Sequence, residues 1–286
     1  MQIALLRKPS LVFDYLKMVR ALNLLIVALT QYLTAIFLVG TRGNWQEIFT
    51  DPGFFLLVSS TVIITSAGYL INDYYDIKID YVNRPDRVRV GKTLGRRWVI
   101  AGHTLLNFLG IAIGFYISPV IGIINFSAAF FLWLYSNQLK RLPFIGNLII
   151  AGLTGTTLFV VGEYFGEREY LILTYAVFAG FITLIREIIK DMEDMKGDEK
   201  FGCKTLPIIW GIANTKKFIY LLILLFGITV WLMIGSISVE LPIALGVTLI
   251  LLIFGLAKAD TIKAYHRLSS FCKLIMLLGV ISMIWI

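Results

Sequence analysis

The sequence has few of the residues that build metal centres and cross-links. Its 286 residues include only two cysteines and two histidines, and Cys203, Cys272, His103 and His266 are scattered along the chain. A disulfide scaffold, a zinc site or a haem site needs a larger and closer set of these residues. The sequence therefore excludes those classes, and packing or surface roles are expected for the four side chains.

Long polar stretches are also missing. Hydrophobic residues make up 58% of the chain and the mean hydropathy is +0.82, far from the composition of soluble domains. A transmembrane helix needs about 20 apolar residues. Nine segments qualify, at residues 20–39, 54–72, 98–117, 119–136, 145–162, 170–189, 216–235, 241–257 and 270–286. The sequence thus predicts an all-α, polytopic membrane protein with nine transmembrane helices and little chain left for a soluble domain.

Basic residues are confined to alternate connections between these nine segments. If the N-terminus is cytoplasmic, every Lys and Arg except Arg42 and Arg168 falls at the cytoplasmic side. Cytoplasmic loops are enriched in these residues, so a cytoplasmic N-terminus and a multi-pass location in the cell membrane are predicted. The net charge of +8 then reflects topology and contact with anionic membrane lipids, and no nucleic-acid partner is expected. The N-terminal segment lacks the pattern of a cleaved signal peptide.

Acidic side chains are concentrated in two places, after the second and after the sixth predicted helix. Within each group the spacing of three or four residues places the side chains on one helical face. The groups are Asn72, Asp73, Asp76 and Asp80, and Glu187, Asp191, Asp194 and Asp198. Solvated helix ends would not need such rows twice at matching positions. Because like charges on adjacent turns repel, a bound cation is expected to compensate.

Carboxylates clustered without Cys or His suit a hard cation, above all Mg²⁺. Basic residues lie nearby in the sequence, namely Arg84, Arg87, Lys140, Lys190 and Lys200. A metal-bridged diphosphate needs both signs of charge, so the residues predict a Mg²⁺-dependent diphosphate site at the inner membrane face. A cation transporter is an alternative, but its acids are expected near the bilayer midplane. A phosphatidyl-alcohol transferase would carry an Asp-Gly-x-x-Ala-Arg segment, which the sequence lacks.

The two motifs, Asn72-Asp73-x-x-Asp76-x-x-x-Asp80 and Asp191-x-x-Asp194-x-x-x-Asp198, resemble the paired aspartate-rich motifs of the UbiA superfamily of intramembrane prenyltransferases. Other similar segments are Arg20-x-x-Asn23, Tyr135-Ser-Asn-Gln-Leu-Lys140-Arg141 and Gly202-x-Lys204-Thr205-Leu206-Pro207. The resemblance implies one integral-membrane domain over residues 1–286, with helices around a central cavity and cytoplasmic capping loops at about 73–97 and 187–215. After the first motif the chain departs from many relatives, reading NRPDRVRVGKTLG in place of a Pro-x-Ser-Gly-like turn.

The resemblance also assigns roles to individual residues. It implies that Mg²⁺ is bound by Asn72, Asp73, Asp76, Asp80, Asp191, Asp194 and Asp198. It implies that the diphosphate is bound by Asn72, Arg84, Arg87 and Lys140. Catalytic roles follow for Asp76, Asp80, Asp191, Lys140 and Tyr135. Tyr135 would face the developing carbocation, with a place in the aromatic belt at the membrane interface as the alternative. Asn23 and Asn147 are expected to line the cavity, with helix-packing hydrogen bonds as the alternative.

Members of the family differ in the acceptor that they prenylate. The segment LKRLPFIGNLIIAGLTGTTLFVVG is most similar to the branch that makes digeranylgeranylglyceryl phosphate. Transfer from a prenyl diphosphate, geranylgeranyl diphosphate being favoured, to a membrane-associated prenylglyceryl phosphate lipid is therefore expected. The sequence gives no indication of an oligomeric state. Aromatic acceptors of quinone or haem biosynthesis are the alternative.

Overall fold

Helices form the regular structure of the described residues in this computed structural model. The described ranges are residues 11–39, 45–166, 170–232 and 240–285, without the side chains of residues 11–14, 87, 240 and 241. The helices are α1 (Leu11–Met18), α2 (Ala21–Leu33), α3 (Trp45–Thr50), α4 (Pro52–Tyr75), α5 (Ile77–Asn83), α6 (Arg96–Ile117), α7 (Pro119–Asn137), α8 (Ile145–Phe165), α9 (Tyr170–Lys200), α10 (Leu206–Leu232), α11 (Glu240–Lys258) and α12 (Ile262–Ser282). A π-helical turn, Thr34–Leu38, extends α2, and short 3-10 turns occur at Pro85–Arg87, Leu139–Arg141 and Met283–Trp285.

Eight of the helices in these ranges are long and apolar enough to cross a membrane, namely α2 with its extension, α4, α6, α7, α8, α9, α10 and α12. A shorter apolar segment, Pro242–Lys258 in α11, coincides with the predicted span at 241–257. The all-helical fold predicted from the sequence is therefore confirmed. A total of nine spans and a cytoplasmic N-terminus stay predictions.

The predicted capping segment at 187–215 is mostly helical, and its capping role stays a prediction. Helix α9 continues through Gly197 to Lys200 and α10 begins at Leu206, so only residues 201–205 form the turn. The extension stays packed because Ile188, Ile189 and Met192 on α9 are buried in the core. α10 also begins earlier than its predicted span at 216–235, with a break in helical geometry at Gly211.

Polar caps and prolines begin two of the long helices. The Asp51 side chain accepts the Gly53 N–H at 2.8 Å ahead of α4, and Ser118 accepts the Ile121 N–H at 3.1 Å ahead of α7. In both cases proline occupies the first helical position, where its missing N–H costs nothing. Ser118 is also the whole connection between α6 and α7, so these two helices form a tight hairpin.

Small residues allow α4, α6 and α7 to approach closely. A Cβ atom on Gly110 of α6 would lie 2.6 Å from Ile64 Cγ1 and 3.2 Å from the Ser60 carbonyl oxygen of α4. Asn125 of α7 donates from Nδ2 to Ser60 Oγ and to the Gly110 carbonyl oxygen, each at 3.0 Å. Helices in a membrane associate through such small-residue contacts and interhelical hydrogen bonds. The three helices thus form one rigid wall of the fold.

Gly110→Ala tests this wall. We expect the substitution to lower stability by about 1–3 kcal/mol because the added methyl group overpacks the contact with α4. The measurement is the thermal unfolding midpoint of the purified protein in detergent. Gly152→Ala is the matched control, since a Cβ atom there meets nothing within 4 Å. Equal midpoints for the two variants would contradict the close packing.

Candidate active site

A cavity of about 750 Å³ opens between the helices, and both acidic motifs line it. Its mouth carries charged side chains from α4, α5 and α9. Beyond the mouth the lining is mostly apolar, with residues such as Ile124, Leu153 and Phe178 interspersed with threonines such as Thr61 and Thr157. The cavity therefore combines a charged end with a mostly apolar interior, which suits a ligand with an ionic head and a hydrocarbon tail.

The first acidic motif is held together by a lysine. Asp76 Oδ1 accepts a hydrogen bond from Lys140 Nζ at 2.6 Å, and Asp76 Oδ2 accepts one from Asn72 Nδ2 at 2.9 Å. Lys140 Nζ also lies 3.4 Å from Asn72 Oδ1. The 3-10 turn Leu139–Arg141 carries the lysine, whose side chain is 10% exposed. The structure thus brings Asn72, Asp76 and Lys140 into one connected group.

Arg84 links the first motif to the second. Helix α5 ends at Asn83 before Pro85, because the residue preceding a proline disfavours the helical conformation, and Arg84 turns toward α9. Its Nη2 donates to Asp194 Oδ1 at 2.8 Å and Oδ2 at 2.9 Å, and to Glu193 Oε1 at 3.0 Å. These charge-assisted hydrogen bonds join α5 to α9 across the mouth.

Asn83 joins the same two helices through the backbone. Its Nδ2 donates to the Asp194 carbonyl oxygen at 3.0 Å, and its Oδ1 accepts the Gly197 N–H at 2.9 Å. A Cβ atom at position 197 would lie 2.5 Å from both Asn83 side-chain polar atoms. Glycine at position 197 therefore allows α5 to lie directly against α9.

The carboxylates of the two motifs face each other. Asp76 lies within electrostatic range of Asp198, and Asp80 within range of Asp194. All seven predicted metal ligands line the cavity, namely Asn72, Asp73, Asp76, Asp80, Asp191, Asp194 and Asp198. The two rows thus meet around one mouth.

The donor set fits Mg²⁺ in its chemistry. All seven residues offer carboxylate or amide oxygens, the ligands that this ion takes. Within the described ranges no three acidic, histidine or cysteine side chains form a ready-made ion site. Lys140 contacts Asp76, and Arg84 contacts Asp194. A divalent cation would relieve the repulsion among the remaining carboxylates.

Asp191 is supported from behind by Asn147. Asn147 Nδ2 donates to Asp191 Oδ2 at 2.9 Å, and Asn147 is buried between α8 and α9. Asn147 is not among the described residues that line the cavity. Asn147 thus makes an interhelical hydrogen bond, as the alternative expected, and this bond orients a carboxylate of the cavity. Its cavity role stays a prediction.

Arg20 and Asn23 lie at another edge of the mouth. Arg20 Nη2 is 3.4 Å from Asp73 Oδ1, and the guanidinium carbon lies 4.6 Å from the ring centroid of Tyr69. Asn23 Nδ2 donates to the Tyr69 hydroxyl at 3.3 Å, and Asn23 lines the cavity. The N-terminal part of α2 is thereby tied to α4.

The structure describes the side chain of Tyr135 but not that of Arg87, the two remaining predicted residues. Tyr135 lines the cavity within electrostatic range of Asp76 and Asp191, a position in which its ring can face a bound ligand. The backbone of Arg87 lies in the 3-10 turn Pro85–Arg87, but its side chain is outside the described part of the structure.

Glu193 is a residue of the site that the sequence did not indicate. Its side chain is 6% exposed, and it accepts hydrogen bonds from Arg84 Nη2 at 3.0 Å, His266 Nδ1 at 2.9 Å and Ser269 Oγ at 3.3 Å. At 100° per residue Glu193 lies about 240° around α9 from Glu187, away from the acidic row. Its partners on α12 are 73 and 76 residues away, so no local pattern could identify it.

Glu187 is the second acid whose role depends on its neighbouring residues. The carboxylate accepts hydrogen bonds from Arg186 Nη1 on Oε1 and from Lys190 Nζ on Oε2, the latter at 2.9 Å. Glu187 is buried, and both basic residues line the cavity. The sequence placed Glu187 in the acidic row, whereas the structure gives it two basic partners on its own helix.

A family model for the UbiA prenyltransferase family matches residues 24–279. The chain belongs to the UbiA prenyltransferase family. It is accordingly a prenyltransferase, and its apolar helices make it a multi-pass membrane protein. The family resemblance read from the two acidic motifs is thus confirmed.

Relatives of this UbiA-family chain include digeranylgeranylglyceryl phosphate synthases. That of Methanosphaera stadtmanae is 32% identical over 276 residues, covering 94% of this chain and 97% of the relative. That of Thermococcus sibiricus is 36% identical over 207 residues, covering 71% and 70% of the two chains. The similarity to the first of these extends over nearly the full length of both proteins.

Solved structures support the same fold. A structure reported for digeranylgeranylglyceryl phosphate synthase in membranes is 26% identical, covers 96% of this chain and 97% of that chain, and has a TM-score of 0.70. A UbiA homologue from Archaeoglobus fulgidus bound to GPP and Mg²⁺ is 16% identical, covers 94% and 99%, and has a TM-score of 0.64. At that identity the second likeness establishes the fold alone.

Gly197→Ala tests whether the contact between α5 and α9 sets the geometry of the site. The added methyl group would displace Asn83, so we expect the prenyl-transfer rate to fall about tenfold or more, since misplacement by about 1 Å is costly. Gly180→Ala on the same helix is the control, because a Cβ atom there meets the Ala151 carbonyl oxygen at an ordinary 3.5 Å. Undiminished turnover in Gly197→Ala would contradict this role.

Asp80 makes the stability of the metal-free protein depend on pH. Burial, followed by the charges of Asp76 and Asp73, raises the pKa of Asp80 from 3.8 to about 7, while Arg84 opposes the shift and Asp194 adds to it. The folded state binds this proton more tightly than the unfolded chain, so the contribution to stability falls as the pH rises from about 4 to about 7.

In EDTA we therefore expect Asp80→Asn to raise the thermal midpoint above wild type by more at pH 8 than at pH 5. Thermal unfolding in detergent at both pH values measures the difference. An equal difference in thermal midpoint at pH 5 and pH 8 would show that Asp80 is not subject to this repulsion.

Proposed function

We propose that this prenyltransferase moves a geranylgeranyl group from geranylgeranyl diphosphate to the hydroxyl group of a membrane-borne prenylglyceryl phosphate. One observation carries the proposal: two carboxylate rows, cross-linked by Arg84 and Asn83, meet at the charged end of a cavity whose interior is apolar. Digeranylgeranylglyceryl phosphate synthases as relatives over most of the chain support this donor and acceptor. The whole chain, residues 1–286, acts as one integral-membrane unit.

In the proposed reaction the bond between the allylic carbon and the diphosphate oxygen breaks, and its electron pair leaves with the diphosphate. The acceptor hydroxyl oxygen bonds to the allylic carbon, and its proton passes to the released diphosphate. The two aspartate rows would hold Mg²⁺, which when bound would supply positive charge to stabilise the leaving diphosphate.

Side chains of the protein have the other roles in the proposed reaction. Lys140 and Arg84 already contact the carboxylates that would hold the ion, so each can reach a phosphate oxygen beside it; Arg87 is proposed as a further contact. Tyr135 presents its ring toward the allylic carbon, where a π face stabilises positive charge. The apolar walls exclude water, which would otherwise capture the cation.

We also propose that the cavity mouth faces the cytoplasm. Basic residues surround the mouth, among them Lys17, Arg89 and Lys140, and basic residues are enriched on the cytoplasmic side of membrane proteins. This places the diphosphate site where a soluble diphosphate is released directly into the cytoplasm.

The test is a reconstitution of the reaction. Purified protein in detergent is incubated with Mg²⁺, labelled geranylgeranyl diphosphate and a panel of acceptors that includes prenylglyceryl phosphate and aromatic quinone precursors, and the product is identified by mass. We expect the prenylglyceryl phosphate product. A product formed only from an aromatic acceptor would overturn the proposed acceptor.

Metal dependence is tested in the same assay. We expect Asp76→Ala and Asp191→Ala to lower turnover by about 10²-fold or more, because charge on the leaving group would lose its stabilisation, and excess EDTA to abolish it. Asp86→Ala is the matched control, since Asp86 is exposed and lies in the same connection as Asp80. Wild-type rates in EDTA would rule out a metal-bridged diphosphate.

A further inference from the structure

The cavity follows helix α9 from the charged mouth to a far end. Residues of α9 line it at every turn from Asp198 back to Tyr175, and no described residue of α9 before Tyr175 does so. Asp191 follows Tyr175 by sixteen residues of the same helix, which corresponds to roughly 24 Å at the rise of an α-helix. This depth is of the same order as the length of an extended geranylgeranyl diphosphate.

The lining ends at the same level on neighbouring helices. Gln31 Nε2 of α2 donates to Thr61 Oγ1 of α4 and to the Thr157 carbonyl oxygen of α8, each at 3.1 Å, so the three residues lie at one level of the fold. Among the described residues, Thr61 is the lining residue of α4 furthest from the mouth, and Thr157 lies near the end of the lining on α8.

A packed layer of side chains lies about one turn beyond this level. Leu57 of α4, Val161 of α8 and Ile172 of α9 are each 3% exposed or less and belong to the hydrophobic core. These three side chains do not line the cavity in the described structure. Because a packed core has few voids that could take a further chain segment, the cavity ends against this layer.

Three side chains close the far end and are called the cavity floor, namely Tyr175 and Phe178 of α9 and Met283, which follows α12. All three line the cavity and are buried. Ala179 and Val280 also line it, about one turn nearer the mouth than Tyr175 and Met283, and they are partly exposed. The cavity thus narrows from accessible walls to a buried end.

Contacts between separate elements hold the cavity floor in place. The ring centroids of Tyr175 and Phe178 are 6.2 Å apart, and the Tyr175 hydroxyl group is hydrogen-bonded to Ser282 Oγ at 3.1 Å. Met283, the next residue, has its Sδ 3.9 Å from Thr34 Oγ1 in the extension of α2. Displacement of the floor would therefore break contacts that join α9 to α12 and the end of α12 to α2.

We propose that the cavity floor selects the prenyl donor by chain length, so that a geranylgeranyl chain fits between the aspartates and the floor and a longer chain is rejected. The inference rests on the proposed function, since it requires the donor tail to occupy the mostly apolar interior. A donor with one more isoprene unit would overpack the floor or hold its diphosphate short of the aspartates. Either outcome weakens binding of the transition state.

The experiment is a competition between geranylgeranyl diphosphate and geranylfarnesyl diphosphate, which is one isoprene unit longer. Purified protein in detergent receives both donors with Mg²⁺ and one acceptor, and the ratio of the two products, measured by mass, gives the ratio of their kcat/KM values. We expect the wild-type protein to prefer geranylgeranyl diphosphate by about tenfold or more, as for an extra apolar group in a closed pocket. Tyr175→Ala and Met283→Ala, which open the floor, should each lower this preference about tenfold.

Two tyrosine variants are the matched controls. Tyr175→Phe keeps the ring and removes only the hydroxyl group, so its donor preference should equal that of wild type. Tyr170→Ala removes an exposed tyrosine ring from the same helix at a position that does not line the cavity in the described structure, and it too should leave the preference unchanged. Thermal unfolding midpoints show which variants are folded, and Phe178→Leu, a milder truncation of the floor, gives the same readout if the alanine variants unfold.

Equal use of the two donors by the wild-type protein would overturn the cavity floor, whatever the variants do. An unchanged preference in the folded floor variants would also overturn it, as would an equal fall in Tyr170→Ala. If prenylglyceryl phosphate is not prenylated, the proposed acceptor fails, and the donor preference is measured with the acceptor that reacts. Use of neither donor with any acceptor would overturn the proposed function and the floor together.

Discussion

The structure depends on holding two rows of negative charge close together at the end of a membrane fold. Carboxylates at this spacing repel, and burial strengthens the repulsion. Arg84 offsets this repulsion by donating hydrogen bonds to both carboxylate oxygens of Asp194 and to one of Glu193. Lys140 donates in the same way to Asp76. The same arginine and lysine that stabilise the fold are therefore the groups proposed to bind the diphosphate.

The energy of buried charges explains why Arg84 and Lys140 would serve both the fold and the proposed ligand. A buried charge left alone would cost several kcal/mol, and a buried pair offsets that cost only with good geometry and further hydrogen bonds. Asp76 has such support from Asn72, and Asp191 has it from Asn147. These hydrogen bonds orient the two carboxylates at the charged end of the cavity, where the proposed ligand would place its ionic head while its hydrocarbon tail occupies the mostly apolar interior.

Much of the fold and part of the site follow from local patterns in the sequence. Hydrophobic segments indicated the helices because each span must be long and apolar, and helical spacing placed the aspartates on shared faces. The extension of α9 past Gly197, the place of Asn147 behind Asp191, and the link from Glu193 to α12 depend on contacts between distant segments. The residue pattern of one segment does not indicate such partners, because contacts with distant segments do not change its hydrophobic periodicity.

The contact between Asn83 and Gly197 joins the two sides of the mouth without an ion pair. Their contact is a neutral hydrogen bond between a side chain and a backbone N–H, so neither salt nor the arrival and departure of ions weakens it as they weaken ion pairs. In the proposed reaction this contact would keep α5 against α9 after the diphosphate has left. Each catalytic cycle would then begin from an assembled site, so that no binding energy of the next substrate would be needed to rebuild it.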